Sequence, residues 1–96
     1  MQLTSKQRAR LRALANGLPV VAQVGKGDLT PAVLDSIETV LAVRELIKIS
    51  LMRTVETPPR DMLDAICRSL GAEPVSCVGR SLVLYRPNPE DPKIVL

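Results

Sequence analysis

The hydrophobic period of residues 20–52 changes twice, and this restricts the fold more than any other feature of the chain. Val20-Val21-Ala22-Gln23-Val24 is short, β-branched and followed by glycine, so it reads as a strand. After Pro31 the apolar residues Val33, Leu34, Ile37, Val40 and Leu41 recur at helical spacing, while Asp35, Ser36, Glu38 and Thr39 take the other side. From Glu45 to Met52 the pattern alternates, with Ile47, Ile49 and Leu51 on one face and Lys48, Ser50 and Met52 on the other, which predicts a strand with one side buried and one partly wet. Strand, helix and strand in this order imply a right-handed crossover that leaves the two strands parallel in one sheet.

The passage from the first strand to this helix is Val24-Gly25-Lys26-Gly27-Asp28-Leu29-Thr30-Pro31. Two glycines allow φ > 0 and a close approach of backbone N–H groups to a ligand, and the helix start adds unsatisfied donors and a positive dipole end. Lys26 supplies a mobile charge. Thr30 and Pro31 fit the N-cap and first helical positions, since the hydroxyl can accept from an amide one turn on and proline lacks only a donor that would be orphaned. The loop is suited to hold a phosphate, although a plain strand-to-helix connection also uses glycine.

Similar signals order the rest. Thr4 and Gln7 have capping-box spacing ahead of a helix over Ser5–Ala15, and Asn16-Gly17 ends it. Leu3, Leu11, Leu14 and Ala15 fall on one side of that helix, with Arg8 and Arg12 on one flank and Lys6 and Arg10 on the other. Thr57-Pro58-Pro59 opens a third helix, with Thr57 as cap and Pro58 first, whose buried stripe is Met62, Leu63, Ile66 and Leu70 and whose stop is Gly71. Pro74–Val78 and Ser81–Tyr85 form a hairpin about Gly79-Arg80. Residues 86–92 are broken by proline, and Lys93–Leu96 is either an edge strand or loose. The chain of 96 residues is thus expected to be one α/β (α+β) domain in the order α-β-α-β-α-β-β, with a mixed, mostly four-stranded sheet.

Charge and composition narrow the function. Net charge is +3, but residues 1–27 hold Lys6, Arg8, Arg10, Arg12 and Lys26 with no acid, for +5, and the remainder sums to −2. Such an asymmetry suits a polyanion, with nucleic acid ahead of a membrane surface because no segment carries bulky aromatics for an interface. Tyr85 is the only aromatic residue, so stacking of several bases is excluded and it is expected in the core. Cys67 and Cys77, with no histidine, support neither a zinc site nor acid–base catalysis, and are read as small buried hydrophobes. There is no run long enough to cross a bilayer and no apolar leader, which predicts a cytosolic protein.

Leu3-Thr4-Ser5-Lys6-Gln7-Arg8, the Val24–Thr30 loop, Glu45-Leu46-Ile47-Lys48-Ile49 and, most specifically, Val78-Gly79-Arg80-Ser81-Leu82-Val83-Leu84-Tyr85-Arg86-Pro87 together resemble the CRM domain (chloroplast RNA splicing and ribosome maturation) in its bacterial single-domain, YhbY-like form. The resemblance spans nearly the whole length. It implies a fold similar to the C-terminal domain of translation initiation factor three, a loop like the GxxG clamp of KH domains, and association with ribosomal RNA in precursors of the large subunit. Two departures stand out: Asp28 replaces the fourth-position glycine, and the tail lacks a basic stretch, with Lys93 against Glu90 and Asp91.

The expected RNA contacts are Gly25, Lys26, Gly27 and Thr30 at the loop, Lys6, Arg8, Arg10 and Arg12 on the first helix, and Arg80 and Arg86 around the last strand. Lys48 and Ser50 on the wetter strand face are weaker candidates. No catalytic residue, metal ligand, cofactor, small-molecule substrate or membrane partner is expected, and a monomer is. A duplex-DNA-binding protein of the Alba-like kind is the alternative, followed by a nucleotide-binding domain, which the lack of a Walker A motif or GxGxxG disfavours.

Overall fold

The computed structural model describes residues 3–96 apart from Lys26 and Asp28. Among the described residues the elements are α1 (Ser5–Ala15), β1 (Val20–Val24), α2 (Pro31–Arg44), β2 (Leu46–Leu51), α3 (Pro59–Leu70), β3 (Glu73–Val78) and β4 (Ser81–Tyr85), in the anticipated order. The strands form one sheet, β1-β2-β4-β3, with β1 parallel to β2 and the other pairs antiparallel.

Alternation along the central strands feeds two cores. Ile47, Ile49 and Leu51 of β2 and Leu82 and Leu84 of β4 meet Ile37 and Leu41 of α2 and Met62, Leu63 and Ile66 of α3. On the opposite face Leu46, Val75, Val83 and Tyr85 meet Leu3, Leu11 and Ala15 from the α1 segment. The face expected to be partly wet therefore has a helix across it, and only Lys48 and Ser50 of β2 stay half-buried. Each fully buried leucine or isoleucine contributes about 1.5–3 kcal/mol.

Local signals explain most element ends. The hydroxyl of Thr4 accepts from the Gln7 amide at 3.1 Å and the Gln7 side chain accepts from the Thr4 amide at 3.0 Å, completing the capping box. Thr30 caps α2, its hydroxyl accepting from the Val33 amide at 3.2 Å. Gly71 ends α3 in the left-handed region at φ 65°.

Four expectations need correction. Leu14 is 43% exposed, so the buried side of α1 is Leu11 and Ala15, with Leu3 ahead of the helix. The first residue of α3 is Pro59, with Pro58 at the cap position, because a residue that precedes proline is pushed out of the helical region and Pro58 is extended at ψ 143°. Glu45 is not a strand residue: it ends α2 at φ 66° and is fully buried, so strand alternation begins at Leu46. Lys93–Leu96 adds no strand; Ile94 packs against the α1-side core. Tyr85 lies in the core as anticipated, and Cys67 and Cys77 are both free thiols against the α2–α3 core.

Candidate nucleic-acid interface

The glycine loop leaves β1 at the end of the sheet where β2 also stops and the β3–β4 hairpin turns. The Met52 amide donates to the Val24 carbonyl at 2.9 Å, and the Leu51 amide donates to the Arg80 carbonyl at 2.8 Å. Arg80 then reaches across the same end, its Nη1 donating to the Met52 carbonyl at 3.1 Å while the side chain stays exposed. A Cβ on Gly25 would stand 2.8 Å from the Met52 sulfur, so a side chain here requires that flexible, exposed methionine to move. Gly27 has φ 100°, which favours glycine for a different reason, its backbone conformation. The expected phosphate contact Lys26 and the departing residue Asp28 lie outside the described residues. Thr30 has its hydroxyl oxygen committed to the α2 amide, which makes its role at the loop that of a cap.

The four basic residues of α1 do not form one patch. Arg8 is half-buried, its Nε donating to the Pro74 carbonyl at 3.2 Å, so it straps α1 to β3. Arg12 is exposed and lines a shallow groove with Lys48, Ser76 and Ser81 on the sheet. Lys6 and Arg10, also exposed, lie on the other flank beside Leu96. The flanks read from the sequence are thus real, and they look at different surroundings.

Arg86 sits at the opposite end of the sheet from Arg80 and is engaged by the fold. Its guanidinium makes a two-pronged pair with the Glu38 carboxylate, and Nη1 also donates to the Leu70 carbonyl at 2.9 Å, capping α3. Next to it, the buried Glu45 carboxylate accepts from the backbone amides of Asn88 at 2.7 Å, Ile94 at 3.1 Å and Lys93. The Glu45 carbonyl takes the Arg86 amide at 2.9 Å. One carboxylate thus ties down the chain beyond β4. Burial raises the pKa of the Tyr85 hydroxyl, and the nearby Glu45 charge adds to it.

Sequence reasoning placed the loop between β1 and α2, Arg80 in the hairpin turn and the basic residues of α1 on two flanks, but missed the partners of Arg86, the clasp at Glu45 and the contact of Met52 with Gly25. Met52 was visible only as the last residue of an alternating run. Glu45 gave no signal, since an acid between a helix and a strand usually faces water.

Among the described residues the arrangement offers exposed charge, and the buried cysteine of α3 is not an activated thiol. Burial pushes the Cys67 thiol up to about 12, with Asp64 and Glu73 reinforcing the shift and Arg60 opposing it, so it stays protonated at neutral pH. Among the described residues no group of three or more Cys, Asp or Glu is placed to hold a metal ion, and no helix is long and apolar enough to cross a membrane.

Comparison with known proteins adds a family. The model of the CRS1 / YhbY (CRM) domain matches residues 3–86. The chain is 34% identical over 94 residues to the "Probable RNA-binding protein YqeI" of Bacillus subtilis, covering 98% of each chain. It is 38% identical over 94 residues to an "RNA-binding protein" of Haemophilus influenzae, covering 98% of this chain and 94% of that one. The solution structure of the hypothetical protein SAV1595 from Staphylococcus aureus superposes with a TM-score of 0.85 at 29% identity over 99% of each chain.

Proposed function

Because the chain belongs to the CRS1 / YhbY (CRM) domain family, we propose that it is an RNA-binding protein, acting without catalysis on structured ribosomal RNA in precursors of the large ribosomal subunit. Two relatives whose names record RNA binding, matched along almost their whole length, support the RNA part of this reading. The observation that carries it is the meeting at one sheet end of Gly25, where even a Cβ would push the Met52 side chain aside, with the exposed guanidinium of Arg80. A phosphate there would meet backbone donors of the loop, the first turn of α2 and a full positive charge.

In this proposal Gly25, Lys26 and Gly27 bring the backbone to a phosphate, Thr30 shapes the helix start, and Arg80 sits beside them. Lys6, Arg10 and Arg12 add long-range attraction, while Arg8 contributes through the strap it already forms. Arg86 is left out, since Glu38 neutralises it. The protein works as a placeholder on the RNA, in the cytoplasm, as a monomer. With three to five phosphates neutralised, log K should fall against log[salt] with a slope of roughly −2 to −4.

The test is a titration of the full chain against a large-subunit ribosomal RNA fragment, duplex DNA and free nucleotide across a salt series, with Lys26→Asp alongside. RNA should bind tightest with that slope, and the variant should lose most of its affinity. Equal affinity for RNA and duplex DNA at every salt concentration would reject the reading in favour of a general DNA-binding protein.

A further inference from the structure

The sheet face crossed by α1 is open at the end nearer the glycine loop. Strand register aligns Gln23, Ser50, Ser81 and Val78 in one cross-strand row, and Val20, Lys48, Val83 and Ser76 in the next. Val24, Ile49, Leu51 and Leu82 point into the α2–α3 core, so Gln23, Ser50 and Ser81 between or beside them emerge on the opposite face. Helix α1 reaches this area through its last turn, where Val83 of the second row is buried in the α1-side core and Arg12, Ala15 and the following Asn16 line the groove with Lys48, Ser76, Val78 and Ser81. Val78, at the margin, is 73% exposed.

The chemistry of this strip is uniform. It carries three hydroxyls, two cations at its α1 margin and no acid; the single acid in the four strands, Glu73, lies opposite Tyr85 in the row that α1 covers. Just beyond its other margin stand Arg80 and Gly25, so the strip runs into the loop without a break. The rows are about 7 Å apart and each spans roughly 14 Å across four strands, enough for a short run of nucleotide backbone. No ring is present on which a base can stack. Small side chains instead let a ribose–phosphate chain lie close, and a serine hydroxyl can both donate to and accept from a ribose 2′-hydroxyl.

We propose that this strip is a second RNA-contacting surface, continuous with the loop, which takes the 2′-hydroxyl-lined minor groove of a folded RNA helix. Arg12 and Lys48 meet phosphates, and Ser50, Ser76 and Ser81 meet ribose hydroxyls. The wide, shallow minor groove of A-form RNA matches a flat strip, and its 2′-hydroxyls are the feature a DNA helix lacks. The proposal rests on the RNA-binding reading above and gives it a means of telling RNA from DNA.

Two variants of the full chain test it against an RNA hairpin and the DNA hairpin of the same sequence, with thermal unfolding of each variant to verify the fold. Ser50→Ala/Ser76→Ala/Ser81→Ala should lower the preference for RNA over DNA about tenfold or more and leave the salt slope unchanged. Arg12→Gln/Lys48→Gln should weaken both ligands and reduce the salt slope by roughly 2. If the parent prefers RNA while both folded variants keep its affinity, preference and slope, the strip is not a contact and the loop reading survives alone. A parent with no preference for RNA overturns the function itself, and this surface with it.

Discussion

Arg80 and Arg86 lie six positions apart at the two ends of β4, and the chain uses them in opposite ways. At the hairpin end Arg80 is exposed, touches one backbone carbonyl and stands beside the glycine loop. At the far end Arg86 is one-quarter exposed and gives its charge to Glu38, while Glu45, whose carbonyl takes the Arg86 amide, gathers the backbone amides of Asn88, Lys93 and Ile94. One end of the sheet uses its charges to hold the fold, and the other leaves a charge exposed to solvent. Residue type alone does not separate the two: what decides is whether a carboxylate on another element lies within reach.

Breaking the Glu45 clasp should show the largest effect on stability. Glu45→Ala removes the shared acceptor of three amides and is expected to cost about 3 kcal/mol, since hydrogen bonds to a charged group contribute about 1.5–3 kcal/mol each but the freed amides can turn to water. In a domain of this size that lowers the thermal midpoint by roughly 15 °C. Affinity for RNA, measured below the transition, should be unchanged; a tenfold loss would erase the division between the two ends.

A smaller loss is expected from Arg86→Ala, about 1–2 kcal/mol in urea unfolding, because the pair with Glu38 is partly exposed and solvent already weakens it. Arg86→Lys should recover less than half of that, as an ammonium cannot hold both carboxylate oxygens and the Leu70 carbonyl in one plane. Full recovery by lysine would mean that charge, and not the fork, is what α3 requires.

The smallest change in stability belongs to the loop end. Gly25→Ala forces the Met52 side chain to move and should cost no more than about 1 kcal/mol, because methionine is flexible and this one is exposed. Its effect on RNA binding should be larger than its effect on folding. In a double-mutant cycle Met52→Ala should relieve part of the folding cost, and strict additivity would show that the close approach seen here does not limit the loop.

The fold was legible where a residue announces its own backbone state. Thr4 with Gln7, Thr30 with Pro31, and Gly71 each set a helix end through bonds to near neighbours, and the alternation of Ile47, Ile49 and Leu51 set the strand's buried face. What stayed hidden depends on partners far away in sequence. Arg86 and Glu38 are separated by 48 positions, and Glu45 and Ile94 by 49, so no local pattern connects them. The open strip was half visible: Lys48 and Ser50 read as the wetter face, but their alignment with Ser76 and Ser81 follows only from strand register.

The same long separation has a kinetic consequence. A carboxylate whose amide partners lie more than 40 residues along the chain gains nothing until a large loop has closed, and that closure is slow to be rewarded. The clasp is therefore expected to form after the rate-limiting step of folding, on a sheet that is already paired. Its loss would leave the refolding limb of a chevron nearly in place and raise the unfolding limb. On that account Glu45 determines how long the folded molecule lasts more than how quickly it is made.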